Sequence, residues 1–267
     1  SVNNGIAFTS VRVNLKNISQ EPLVAKPANV NARAILVKKL GGGQSILKVS
    51  ADQRWPIASL TKLMTAVVAL EKFSPGQKIY FDDKIIATEG TSGNFRSGES
   101  FTVIDLVKAL ILVSSNDGAM ALAEDFGYKN FVDAMQIKAS ELGMSQTTFF
   151  DPSGLSFLNQ STIEDLEKLV NYVYKNHFQV FEFSRLPSML IGDGRTLVNI
   201  NQLAGQPEFL GGKTGYTDDA NGNLISLFND QGGGQPLLII VLGTADRFSE
   251  TKKLLDYFNN LPYTGRN

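Results

Sequence analysis

Strand-like patterning stands at both ends of this chain and helical patterning fills the middle, an order that few folds accept. Ala32-Arg33-Ala34-Ile35-Leu36-Val37 reads as a strand, Gly41-Gly42-Gly43 as a turn, and Ser45-Ile46-Leu47-Lys48-Val49 alternates like a returning strand. Residues 196–199, 211–217, 224–228 and 237–242 are strand candidates near the other end, the last two joined by the turn Asp230-Gln231-Gly232-Gly233-Gly234. An amphipathic helix over 248–258 closes the chain. Between these ends, helices are expected at 59–70, 106–113, 119–126, 131–142 and 161–174. Thr102-Val103-Ile104-Asp105 and Ser161-Thr162-Ile163-Glu164 read as capping boxes for two of them. A sheet built from both chain ends with a helical insertion is the economical solution. The expected class is α+β, an antiparallel sheet flanked by helices. Residues 1–30 lack a period and read as an extension or linker. Residues 31–262 form one domain, with a sheet lobe from 31–62 and 196–262 and a helical lobe from 63–195. Residues 263–267 are a tail.

Composition removes several classes of chemistry. The 267 residues carry a net charge of −1, which gives no electrostatic case for nucleic acid or an anionic membrane surface. No apolar run reaches the roughly 18 residues of a membrane-spanning helix. The chain opens on Ser1 rather than Met, so it reads as processed or trimmed, with any signal or anchor segment outside it. There is no cysteine, so disulfides, thiolate catalysis and cysteine zinc sites are not expected. The single histidine, His177, sits at the expected end of a helix, where a cationic side chain is favourable for structural reasons. A Ser-His-Asp triad would have to use it. No cofactor and no metal site are expected.

The run Ile57-Ala58-Ser59-Leu60-Thr61-Lys62-Leu63-Met64-Thr65 opens a helix with almost no polar face. Positions three apart share a helix face, so the Ser59 hydroxyl and the Lys62 amine point into one space. The Ser59 amide lies among the free N–H groups of the helix start. A hydroxyl, an amine able to take its proton and an oxyanion donor then come from one turn, the minimum kit for serine acyl transfer. Taken alone, Ser-x-x-Lys is equally an N-cap followed by a solvated charge.

Two further motifs decide between these readings. Ser114-Ser115-Asn116-Asp117 breaks two apolar helices and by itself reads as an interhelical turn. Lys213-Thr214-Gly215 follows Gly211-Gly212. A phosphate loop would need Gly where Pro207 stands and a helix after Thr214, and a strand follows instead. A strand with a bulge at Gly215 is the structural alternative. Ser-x-x-Lys, Ser-x-Asn and Lys-Thr-Gly in this order are a known set for β-lactamases and penicillin-binding proteins. From about residue 31 to 260, including the tail Arg247-Phe248-Ser249-Glu250-Thr251, the chain resembles the low-molecular-mass penicillin-binding proteins of the D-alanyl-D-alanine carboxypeptidase group.

The resemblance implies the β-lactamase/DD-peptidase fold and a serine peptidase acting on peptidoglycan stem peptides that end in D-Ala-D-Ala, acylated covalently by β-lactams. It implies an extracytoplasmic location. By the same resemblance Ser59 is the nucleophile, Lys62 its base, Ser114 the proton shuttle to the leaving amine, and Asn116 a holder of the substrate backbone. Lys213 supplies positive charge and, with burial, would favour a neutral Lys62. Thr214 binds the substrate carboxylate, and Gly215 and the Tyr216 amide complete the binding edge. The Ser59 and Tyr216 amides form the oxyanion hole, and Arg247 lies near the carboxylate end. The family often has Arg in the strand before Lys-Thr-Gly, where Ile200 stands. Three other readings stay open: a DD-endopeptidase on cross-links, a class A-like β-lactamase, and a non-catalytic sensor module. For the β-lactamase, Glu167 in Glu167-Lys168-Leu169-Val170-Asn171 is a near match to a catalytic loop pattern, but falls inside an expected helix.

Overall fold

The computed structural model describes residues 25–90, 93–192, 194–230 and 234–261. Most of the expected N-terminal extension, the tail, and parts of the turns at 88–93 and 230–234 lie outside these residues.

The first hairpin is β1 (Ala34–Lys39) and β2 (Leu47–Val49), followed by β3 (Trp55–Pro56) and a tight 3-10 turn, Ala58–Thr61. Helix α1 (Lys62–Lys72) continues directly from that turn. Next come β4 (Lys78–Tyr80), α2 (Asp83–Ile86), β5 (Ser100–Thr102), α3 (Val103–Leu112), α4 (Asn116–Phe126) and α5 (Tyr128–Glu141). Then come β6 (Gln160–Ser161), α6 (Ile163–Asn176), α7 (Gln179–Ser184), β7 (Ser188–Leu190) and β8 (Thr196–Val198). The last third is β9 (Phe209–Thr217), β10 (Asn221–Phe228), β11 (Leu237–Thr244) and α8 (Arg247–Asn259).

The main sheet is antiparallel in the order β2-β1-β11-β10-β9, so the chain's first and last strands meet at its centre. Its strands are apolar on both faces, because side chains alternate and both faces are covered. On β11, Leu238, Ile240 and Leu242 point to the core shared with the helical lobe. Leu237, Ile239 and Val241 face the second core, with Leu254 and Phe258 of α8. Every residue of α1 from Lys62 to Ala69 is buried, and the helix packs against α3, α4, α5 and α6.

Three expectations need correction. The 196–199 strand does not join the main sheet: β8 pairs with β7 in a separate ribbon, so the late part of the sheet begins at β9. The α6 capping box sits one residue later than read, with Thr162 accepting from the Asp165 amide. Ser161 is unavailable as a cap because it pairs with Trp55 across β3–β6 and its hydroxyl bonds Thr147 Oγ1. The β9–β10 register is unbroken at Gly215, and the irregularity lies instead where Leu227 and Phe228 meet Gly211 and Phe209. The Thr102–Asp105 box forms as read.

The entry to β1 is tied to α8 by the buried Glu250 carboxylate, which accepts from the Asn31 and Ala32 amides at 3.0 and 2.8 Å. Removing it strands the buried Ala32 N–H. Glu250→Ala is expected to cost about 1–3 kcal/mol, read as a lower urea midpoint with an unchanged slope.

Candidate active site

The site lies where the 3-10 turn, the α3–α4 break and the edge strand β9 converge. Lys62 is the first residue of α1 and is fully buried. Its Nζ lies 3.0 Å from Ser59 Oγ, 2.6 Å from Asn116 Oδ1 and 2.6 Å from the Ser153 carbonyl oxygen. All three are acceptors, so the ammonium form is fully bonded. When the amine is neutral, its lone pair can take the hydroxyl proton of Ser59. Burial lowers the Lys62 pKa to about 7, while the carboxylates of Asp151 and Asp117 act in the opposite direction. Both protonation states are therefore accessible near neutral pH. Of the two causes expected from sequence, burial and a nearby cation, burial is the dominant one.

The turn that presents Ser59 is held in an unusual conformation. Ala58, just before it, has a φ of +48°, in the left-handed region. Ser59 itself is only partly buried, so its hydroxyl can be reached. Gly154 approaches the turn so closely that a Cβ there would lie 2.0 Å from the Ala58 carbonyl oxygen. From the other side Gly215 of β9 approaches, where a Cβ would lie 2.9 Å from the Ile57 carbonyl oxygen and 3.3 Å from the Ser59 amide nitrogen. Glycine at both positions lets two strands of backbone flank the serine.

Ser114 also has a positive φ, +58°, in the break before α4. Lys213 Nζ donates to Ser114 Oγ at 3.0 Å and to the Thr214 carbonyl at 2.8 Å. This leaves the Ser114 proton free to be donated elsewhere. Lys213 is buried and its pKa is lowered well below the ordinary lysine value, first by burial and then by the charges of Lys62 and Arg247. Arg247, at the first turn of α8, stacks on Phe248 at 5.0 Å, and its buried Nε has no hydrogen-bond partner. Thr214 is buried and Tyr216 is 58% exposed. Among the described residues, the ion pairs include none of Lys62, Lys213 or Arg247. Lys213 and Arg247, outside any ion pair among the described residues, make this edge of the site ready for an anion.

Asn116 makes protein contacts beyond the substrate-holding role implied by the resemblance. Asn116 opens α4, its Oδ1 on Lys62, and its Nδ2 donates to the Glu89 and Gly90 carbonyls at 2.9 and 3.1 Å. In this arrangement Asn116 orients Lys62, and the 89–90 backbone occupies its amide. Ile200 is outside any strand, half-exposed, with its amide on the Leu112 carbonyl. Glu167 lies on α6 and pairs with Lys38 of β1 at 2.7 Å, in keeping with its helical reading. His177 caps α6 and lies 3.3 Å from Glu71, a structural role. Sequence reasoning missed the 151–159 loop that supplies the Ser153 carbonyl. Its one signal was the turn cluster Asp151-Pro152-Ser153-Gly154.

The model of the D-alanyl-D-alanine carboxypeptidase family matches residues 20–246. The D-alanyl-D-alanine endopeptidase of Haemophilus influenzae is 33% identical over 81% of this chain and 78% of its own length. The D-alanyl-D-alanine carboxypeptidase DacF of Bacillus subtilis is 28% identical, over 84% of this chain and 61% of its own length. Among solved structures, a D-alanyl-D-alanine carboxypeptidase from Mycobacterium tuberculosis superposes with a TM-score of 0.79 at 27% identity, covering 90% of this chain and 97% of that one. Penicillin-binding protein D2 from Listeria monocytogenes, in its ampicillin-bound form, gives 0.77 at 32% identity, covering 86% and 98%.

The close approach at Gly154 is testable without any assumption about substrate. Gly154→Ala places a methyl against backbone and forces a φ of +85° on an L-residue. It is expected to destabilise the fold by about 1–3 kcal/mol, measured by thermal unfolding, and by more than alanine at Gly143, where φ is +70° but nothing lies within 4 Å of the added methyl.

Proposed function

The chain belongs to the D-alanyl-D-alanine carboxypeptidase family of serine peptidases, and on that premise we propose that Ser59 carries the acyl group in cleavage of peptidoglycan stem peptides ending in D-Ala-D-Ala. The observation that carries this assignment is the 3.0 Å contact between Ser59 Oγ and a buried Lys62 whose pKa is lowered to about 7. Neutral Lys62 takes the hydroxyl proton as Ser59 Oγ attacks the penultimate D-Ala carbonyl carbon. The amides of Ser59 and Tyr216 hold the oxyanion, an arrangement typically worth about 3–4 kcal/mol. As the C–N bond breaks, Ser114 gives its proton to the leaving amine, and terminal D-Ala departs. Water then hydrolyses the ester. Lys213, Thr214 and Arg247 hold the terminal carboxylate of the substrate, with Gly215 letting β9 lie against the serine turn. A β-lactam follows the same first step, but its amine stays tethered after ring opening, so the adduct persists. Such a substrate places the enzyme outside the cytoplasm. Among the described residues, no helix is long and apolar enough to cross a membrane.

A second reading has a specific observation behind it. The Haemophilus influenzae relative named as an endopeptidase is 33% identical, against 28% for the Bacillus subtilis carboxypeptidase. Cross-linked dimers and pentapeptides offered side by side distinguish the two.

Intact mass after mixing with penicillin tests the assignment. A lasting adduct is expected on the wild type and none on Ser59→Ala. A transient adduct with hydrolysed drug would indicate a β-lactamase, and no adduct on folded protein a sensor module. The acylation rate is expected to rise with pH through a midpoint near 7, because only the neutral amine accepts a proton. Lys62→Arg, which keeps its charge, should be inactive across that range.

A further inference from the structure

We propose that Asp151 is a positioning residue for Lys62, its carboxylate folding the 151–156 loop so that the Ser153 carbonyl meets the Lys62 amine. The inference rests on the assignment of Lys62 as the base. Asp151 Oδ1 accepts from the Ser153 amide at 2.7 Å, the Ser153 hydroxyl at 2.7 Å and the Gly154 amide at 2.6 Å. Its Oδ2 accepts from the Ser156 amide at 2.8 Å. Four donors on one carboxylate curl the loop around it. The outward carbonyl of that curl, from Ser153, takes the Lys62 proton contact at 2.6 Å.

The loop is also fastened to the serine turn. Asn159 accepts from the Phe150 and Asp151 amides, and its Nδ2 donates to the Asp151 carbonyl and to Thr61 Oγ1. The Ile57 amide donates to the Asn159 carbonyl at 2.9 Å. The curl therefore moves with the turn that carries Ser59. A neutral side chain could make part of this nest, but Oδ2 must accept from Ser156, which an amide nitrogen cannot do. The negative charge has a second consequence. Asp151 favours the ammonium form of Lys62, as does Asp117, while burial disfavours it; Lys213 is the nearby cation. Removing the Asp151 charge, or moving the Ser153 carbonyl away, both make the ammonium harder to hold.

The test is the pH profile of penicillin acylation at Ser59, followed by intact mass, for wild type, Asp151→Asn, Asp151→Ser and Asp151→Glu. In Asp151→Asn and Asp151→Ser the acid limb is expected to move to lower pH by about one unit, the size of a close charge's effect. The rate above the midpoint should fall about ten- to a hundredfold as the base loses its alignment. Asp151→Glu retains the charge and should keep the wild-type midpoint. A uniform fall with an unmoved midpoint in the neutral variants would overturn the proposal. So would loss of folding in both neutral variants with Asp151→Glu folded, which would make Asp151 a scaffold residue. A wild type that never acylates would instead overturn the Ser59–Lys62 assignment itself.

Discussion

A single buried nitrogen organises this structure. Placing an unpaired ammonium in a protein interior costs far more than any one packing contact returns, yet Lys62 opens a helix buried along its first eight residues. The solution is to surround it with acceptors from three separate segments. Ser59 comes from the turn below, Asn116 from the start of α4, and the Ser153 carbonyl from the loop before β6. These segments span nearly a hundred residues of sequence, and the amine adds a shared centre to the other bonds and packing that join them. The amine therefore locks the helical lobe to the rim of the sheet, and its lowered pKa is a consequence of the burial that the fold requires.

Around that nitrogen the backbone is brought unusually close. Ala58 and Ser114, each beside or at a residue of the site, hold positive φ values that L-residues disfavour. Gly154 and Gly215 let two neighbouring segments press against the serine turn where a side chain could not fit. Such conformations persist only where the surroundings over-determine them, and they concentrate at functional sites. β9 is an edge strand of the main sheet. An exposed edge is elsewhere a hazard for aggregation, but here Thr214, Gly215 and Tyr216 bring it alongside the serine, where an extended peptide could add to it.

The sequence revealed what local periodicity and spacing control. The both-face apolar run of β11, the apolar helix α1 and the three-residue interval between Ser59 and Lys62 were readable because each depends on residues close in the chain. The motif order then brought Ser114 and Lys213 to the same place, and the structure has them 3.0 Å apart. What could not be read depends on partners far away. Ser161 looked as good a cap as Thr162, and only its pairing with Trp55 and Thr147 disqualifies it. Thr196–Val198 has strand composition, but its partner is the unanticipated Ser188–Leu190. Asn116 was assigned a task from resemblance, while its amide in this structure holds the Glu89 and Gly90 carbonyls. The Asp151 nest uses short-range turn chemistry, yet its target, the Lys62 amine, lies some ninety residues earlier.

The distribution of charge explains how one site can serve both proton transfer and recognition. The whole chain is nearly neutral, so no long-range field draws an anion to it. Attraction must come from groups within the cleft, and Lys213 and Arg247 are those groups, free of carboxylate partners among the described residues. Their charges also act on one another, and each would be relieved by an incoming carboxylate. On the proposed assignment, a terminal carboxylate bound there neutralises those charges. Lys62 is coupled to Lys213 by charge but is held by its own ring of acceptors, with Asp151 and Asp117 opposing the effect of its burial. On the proposed assignment, recognition and proton abstraction thus rest on different groups: Lys213 and Arg247, without carboxylate partners among the described residues, for the substrate, and the neutral form of Lys62, held by the protein, for the proton.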